Sequence, residues 1–201
     1  MNLPNKLTVG RIGLTVLMTI CLTTPAVPYR ITLALLIFIV ASLTDYWDGY
    51  LARKHNIVSS FGQLMDPLTD KILACAAFVG FVALHAIPAC IVIVVISREF
   101  VVTGLRLLAA TKGQILPAGR WGKQKMMWQI ILILVTLSGL AFQDELLPLI
   151  LHGDLLARVL TQFSFSFIIV RYAIALLVAA LTLISGAVYL WQNRALYLKD
   201  I

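Results

Sequence analysis

Charge is scarce in this sequence. Only 12% of its 201 residues are Asp, Glu, Lys or Arg, against about a quarter in an ordinary soluble domain. No hydrophilic stretch is long enough to fold as a separate soluble domain, so a single domain over 1–201 is expected. Histidine and cysteine are rare, with 3 of each, and Cys21, Cys75 and Cys90 all sit in apolar runs without ligand spacing. That argues against a disulfide framework and a Cys/His metal site, and leaves the cysteines as small core residues. No repeat and no low-complexity tract is visible. What the chain has in abundance is apolar surface: 61% of residues are hydrophobic and the mean hydropathy is +0.96.

That composition belongs to an integral membrane protein. At about 20 residues per span, the apolar runs predict six helices, over residues 5–25, 31–54, 61–87, 88–110, 123–142 and 165–192. The expected fold is all-α, a six-transmembrane-helix bundle with a polar cavity facing the cytoplasm. The first 27 residues have early cations, an apolar middle and small residues near Ala26, as a signal peptide has. More membrane follows, so they read as a retained first span. With an even number of spans, all but Arg30, Arg158 and Arg171 of the 16 cations fall on the side of the termini. By the positive-inside rule both termini are then cytoplasmic, in a multi-pass cell-membrane protein. The same rule accounts for the net charge of +7, with anionic headgroups as partners. Nucleic acid is not expected, because no basic face is separate from the apolar spans.

Against this background four aspartates stand close together in "TDYWDGYLARKHNIVSSFGQLMDPLTDK", residues 44–71. Asp45 and Asp48 are an i, i+3 pair on one helical face, which Gly49 and Ala52 share. The carboxylate face therefore also carries small side chains, and something bulky can approach the backbone. Asp66 and Asp70 form an i, i+4 pair on the next helix. Two placements of that helix are open: Asp66 caps a helix starting at Pro67, or Pro67 lies within one starting near Ser59. Four carboxylates cannot stay ionised together in a partly dehydrated site without a cation. An oxygen-only donor set with no His or Cys favours Mg²⁺ or Mn²⁺ over zinc. Four ligands suit a two-ion phosphoryl-transfer centre. The plainer alternative is a set of solvated loop caps, with Arg53 and Lys54 as ordinary flanking cations and His55 a solvated loop residue.

The residues also match a family pattern. Asp45-x-x-Asp48-Gly49-x-x-Ala52-Arg53, eight residues, then Gly62-x-x-x-Asp66-x-x-x-Asp70 fills every position of the signature of the CDP-alcohol phosphotransferases, which this chain resembles. Three further segments, "NLPNKLTVGR", "SREFVVTGLRLLA" and "GRWGKQK", are similar to those of members that use glycerol 3-phosphate as acceptor. The likeness runs to about Lys125. Met126 departs from it, where those relatives usually have Thr.

The resemblance implies transfer of a phosphatidyl group from CDP-diacylglycerol to glycerol 3-phosphate with release of CMP. It implies two Mg²⁺ or Mn²⁺ ions held by Asp45, Asp48, Asp66 and Asp70, with Asp70 also the general base. Gly49, Ala52 and Gly62 would make room for the CDP-diacylglycerol headgroup and Arg53 would touch a phosphate, with Asn5 and Thr8 beside the nucleotide. A homodimer in membrane lipid is implied too.

The acceptor phosphate, a dianion, needs its own cations. Arg98 and Arg106 lie eight residues apart on one face of the fourth span, and Lys123 and Lys125 open the fifth. Glu99 points about 100° from Arg98 and is expected to pair with another helix. Arg11, deep in the first span, either pairs with an aspartate or lines the cavity. Arg171 and the "QDELLPLILHGD" loop, residues 143–154, read as structural parts of the extracytoplasmic side. Rival readings keep the family and change the acceptor to inositol phosphate, serine or phosphatidylglycerol. Others abandon the family for a divalent-cation transporter or an intramembrane prenyltransferase. The transporter reading lacks acidic residues continuing across the membrane, and the prenyltransferase reading lacks a second, separate Asp motif.

Overall fold

The computed structural model describes residues 3–55, 60–113 and 120–194, with side chains described outside 3–8, 45–68, 70, 120 and 121. Five helices follow in order: α1 (Leu3–Thr23), α2 (Arg30–His55), α3 (Ser60–Ala83), α4 (Ala89–Thr111) and α5 (Arg120–Ala141). A π-helical turn, Phe142–Leu146, carries α5 into the short α6 (Leu147–Ile150), and α7 (Gly153–Gln192) closes the chain. The protein is all-α, with no strand among the described residues.

The first five helices begin and end within a few residues of the expected spans. Helix α3 starts at Ser60 and continues through Pro67, so Asp66 lies inside the helix and does not cap it. Pro67 has no N–H to give, which leaves the Gln63 carbonyl without its intrahelical donor.

The larger difference lies at residues 143–154, expected as a loop. The stretch is mostly helical. Its Pro148 sits in the first turn of α6, directly after the π-helical turn. The chain reverses only at Leu151 and His152, which are extended, and at Gly153, whose φ of 66° suits a residue without Cβ. Helix α7 therefore starts well before residue 165 and has 40 residues. At ~1.5 Å per residue that is about 60 Å, twice the hydrocarbon thickness of a bilayer.

Two helical stretches are long and apolar enough to cross a membrane, Gly122–Ile150 and Gly153–Gln192. Only 28% of the apolar window of α7 is buried, where the core helix of a soluble protein would be mostly covered. Leu149, Ile150, Phe165, Leu176 and Leu183 face outward instead. This is a membrane protein. Three hydroxyls of α1 are satisfied within their own helix: Thr15, Thr19 and Thr23 donate to the carbonyls of Arg11, Thr15 and Thr19 at 2.8, 2.9 and 2.8 Å.

Helix α1 packs on α2 and α3, α2 on α5, and α7 on α4 and α5. The shared core holds Met18, Leu22, Phe38, Phe78, Phe81, Leu132, Leu137 and Val178. Ala34, Ala41 and Ala77 are fully buried between them. Small residues let helix backbones approach where no hydrophobic drive from water is available. Gly80 shows how closely: a Cβ there would stand 2.6 Å from Leu22 Cδ1.

One contact ties the far end together. The π-helical turn presents Glu145 to the start of α2. Its Oε1 accepts from Ile31 N at 2.7 Å, and its Oε2 accepts from Thr32 N at 2.9 Å and Thr32 Oγ1 at 2.6 Å. A carboxylate thus satisfies first-turn N–H groups that α2 cannot satisfy itself, at the positive end of its dipole. Arg171 lies buried on α7 against the Phe167 ring, 5.0 Å from its centroid.

Candidate functional site

A cavity of about 350 Å³ lies between α1, α2, α3, α4 and α5. Among the described residues, Arg11, Lys71, Arg98, Arg106, Lys123 and Lys125 line it together with one acid, Glu99. The four cations expected at the acceptor, Arg98, Arg106, Lys123 and Lys125, are thus brought together from two helices. Arg11 also reaches this wall. At an effective dielectric near 20, two like charges about 8 Å apart repel by about 2 kcal/mol. Cations gathered this closely cost free energy unless counter-charges offset them.

Four of these cations have described neighbours. Arg98 and Arg106 stand two turns apart on α4, hence on one face. Arg98 Nη1 is 3.3 Å from Glu99 Oε1, and Arg98 Nε is buried without a hydrogen-bond partner. A buried donor left this way is available to a ligand oxygen. Glu99 Oε1 also pairs with Lys125 Nζ, which is buried at the start of α5. The expected interhelical partner of Glu99 is therefore Lys125.

Lys71 Nζ donates to Thr103 Oγ1, and Thr103 Oγ1 donates to the Glu99 carbonyl at 2.6 Å. Arg106 Nε donates to Tyr189 Oη at 3.2 Å. Gly122 lies beside Arg98, where a Cβ would stand 3.7 Å from its Nη2, an ordinary contact distance. Charged groups at this depth in apolar helices cost free energy unless paired or liganded, and the pairs just described offset part of that cost.

The aspartates are placed by their backbone. Asp45, Asp48, Gly49, Ala52 and Arg53 occupy the last turns of α2, and Gly62, Asp66 and Asp70 the first turns of α3. Both spacings are therefore helical, so each pair shares a face. Asn5 and Thr8 lie on α1. The side chains of these ten residues lie outside the described residues. Asp70 is followed directly by Lys71, so the carboxylate helix runs into the wall of the cationic cavity. Among the described residues no group of three His, Cys, Asp or Glu gathers elsewhere.

Nothing in the sequence marks Lys71, which reads as one more cation of the terminus-side flank. The same is true of Tyr189 and Gly186 on α7, where only apolar character is legible. Their contacts with α4 depend on how two helices about ninety residues apart are packed.

Comparison with known proteins gives the family. The family model for CDP-alcohol phosphatidyltransferase matches residues 1–191, and the chain belongs to that family. It is 43% identical over 143 residues to the CDP-diacylglycerol–glycerol-3-phosphate 3-phosphatidyltransferase of Bacillus subtilis (strain 168), covering 66% of this chain and 74% of that one. The protein of that name from Rickettsia felis is 31% identical over 169 residues, covering 82% of this chain and 93% of its own. The one from Mycoplasma pneumoniae is 44% identical over 100 residues, covering 50% and 44%.

Proposed function

We propose that this chain transfers the phosphatidyl group of CDP-diacylglycerol to glycerol 3-phosphate, giving phosphatidylglycerol phosphate and CMP. The observation that carries the reading is the cavity in which the cations of α4 and α5 meet Lys71, the residue after Asp70. A phosphorylated acceptor is drawn there, beside the helices that bear the aspartates. The relatives bearing the matching name support the choice of acceptor.

The donor set fits divalent ions. It offers four carboxylates on two adjacent helices at same-face spacings, with no softer ligand among them. Asp45, Asp48, Asp66 and Asp70 would hold two Mg²⁺ or Mn²⁺ ions. When bound, these neutralise the diphosphate and favour the ionised form of the attacking hydroxyl.

The remaining work falls to the chain itself. Gly49, Ala52 and Gly62 leave space for the donor headgroup, Arg53 meets a donor phosphate, and Asn5 and Thr8 flank the nucleotide. Arg106, Arg98, Lys123 and Lys125 orient the acceptor phosphate so that its distal hydroxyl faces the donor. Asp70 takes the hydroxyl proton, within reach directly or through one water. The hydroxyl oxygen forms a bond to the phosphatidyl phosphorus, and the bond from that phosphorus to the CMP oxygen breaks. CMP leaves with the electron pair.

In this reading α1 to α5 and α7 are six membrane-crossing helices. The cavity faces the cytoplasm, both termini are cytoplasmic, and two copies pair in the cell membrane. The test is CMP release by the purified chain in detergent with CDP-diacylglycerol and Mg²⁺ or Mn²⁺. Glycerol 3-phosphate, inositol phosphate, serine and phosphatidylglycerol are compared as acceptors. Release that needs both metal and glycerol 3-phosphate is expected. Release with another acceptor would replace the substrate, and release with none would overturn the transferase reading.

A further inference from the structure

We propose that Tyr189, near the end of α7, is a positioning residue of the acceptor site that holds Arg106 by its inner nitrogen and so fixes how it meets a phosphate. The inference rests on the reading of the cavity as the acceptor-phosphate site. Tyr189 belongs to none of the motif-bearing segments, which all lie at or before Lys125.

Two contacts join the pair. Arg106 Nε donates to Tyr189 Oη at 3.2 Å, and the Arg106 Cζ lies 5.6 Å from the centre of the Tyr189 ring. Tyr189 is itself 7% exposed, packed with Val102 and Leu105 of α4. Its backbone is secured as well, since Asn193 Nδ2 donates to the Tyr189 carbonyl at 2.7 Å. The phenol is thus a fixed point, whereas an arginine side chain is long and rotamer-rich.

The chemistry follows from the shape of the guanidinium. It carries five donors in a rigid plane and grips a phosphate by two parallel hydrogen bonds, through either its side edge or its end. With Nε committed to Tyr189 the side edge is closed. Nη1 and Nη2 remain, and neither has a protein partner among the described residues. Arg106 can then take a phosphate only end-on, in one orientation. One turn earlier on the same helix, a Cβ on Gly186 would stand 3.1 Å from Arg98 Cγ. The same face of α7 therefore comes close to both arginines of α4, and it sets the acceptor half of the cavity.

The experiment uses the full chain in detergent. Binding of glycerol 3-phosphate and of inorganic phosphate is measured by calorimetry, and turnover is measured separately. Wild type, Tyr189→Phe, Arg106→Ala and the double variant are compared. Tyr189→Phe keeps the ring and removes the hydroxyl. It should weaken Kd and raise KM for glycerol 3-phosphate about tenfold, the order expected for one hydrogen bond to a charged group. The KM for CDP-diacylglycerol should stay within about twofold, because the lost contact lies on the acceptor side. In the Arg106→Ala background the same change should add nothing, since it acts through that arginine.

An unchanged Kd in Tyr189→Phe would overturn the proposal. So would a loss shared equally by both substrates, which is what a folding defect produces, or full additivity with Arg106→Ala. A wild type that binds neither glycerol 3-phosphate nor phosphate would overturn it too. A wild type that binds glycerol 3-phosphate but releases no CMP would instead sink the transferase reading, leaving Tyr189 to be judged on Kd alone.

Discussion

Removing the Glu145 carboxylate should loosen the bundle without touching its chemistry. Its two oxygens accept from Ile31 N, Thr32 N and Thr32 Oγ1 at 2.7, 2.9 and 2.6 Å. Hydrogen bonds to a charged group contribute ~1.5–3 kcal/mol each, and water reaching a half-buried helix start recovers part of the loss. A favourable charge at a helix N-terminus adds about 0.5 kcal/mol. Glu145→Ala should therefore cost about 3 kcal/mol.

Glu145→Gln is the sharper variant. An amide has one oxygen, and its NH₂ group must face either the Ile31 N–H or the Thr32 donors, whichever way it flips. It should cost about 2 kcal/mol despite its near-identical shape. For a chain of this size each kcal/mol shifts Tm by ~2–4 °C, so losses of about 9 °C and about 6 °C are expected in thermal unfolding followed by circular dichroism in detergent. From Ile31 to Asp45 helix α2 rises about 21 Å at ~1.5 Å per residue. Turnover per folded molecule at low temperature should accordingly stay within about twofold. A glutamine variant as stable as wild type would refute the argument that an ionised two-oxygen acceptor holds the start of α2.

Three other changes separate the roles argued above. Asp70→Asn should abolish CMP release while CDP-diacylglycerol still binds, measured by calorimetry; substantial turnover would remove Asp70 from the role of base. Arg106→Ala should raise KM for glycerol 3-phosphate by about a hundredfold and leave the donor KM nearly unchanged; equal effects in steady-state kinetics would make it structural. Gly139→Ala would place a Cβ against the edge of a Phe167 ring whose faces meet Phe163 and Arg171 at 5.7 and 5.0 Å. With no room to retreat it should cost ~1–3 kcal/mol, and Phe167→Leu in the same chain should restore Tm.

The readable parts of this molecule are those whose cause is local. Apolar runs place α1 to α5 within a few residues, because a long apolar run between polar breaks favours one uninterrupted helix. The aspartate pairs are legible for the same reason, since i, i+3 and i, i+4 are properties of one helix. Arg98 and Arg106 are visible as charges in an apolar span. What stays hidden is set by packing between distant segments. "QDELLPLILHGD" reads as a loop because its charged and Pro and Gly residues are turn signals. Yet Glu145 finds its partners at Ile31 and Thr32, and the segment folds as a π-helical turn and a short helix. Lys71, Tyr189 and Gly186 are ordinary residues in sequence. Their roles arise from α4 lying against both α3 and α7.

The placement of charge also explains a division of labour in the proposed reaction. The four aspartates proposed to hold the ions lie on α2 and α3, and most of the cavity's cations lie on α4 and α5, steadied by α7. The donor, CDP-diacylglycerol, is then held by the half with strict spacing, since ions and a diphosphate tolerate little change in ligand geometry. The acceptor is held by the half whose motifs are loose, where a cation moved by one turn still reaches a phosphate. A change of acceptor thus requires alteration only along α4, α5 and the Gly186–Tyr189 face of α7. Exchanging that face between two relatives with different acceptors should shift acceptor KM and leave donor KM in place. A donor KM that moved with it would mean the two halves are not separable.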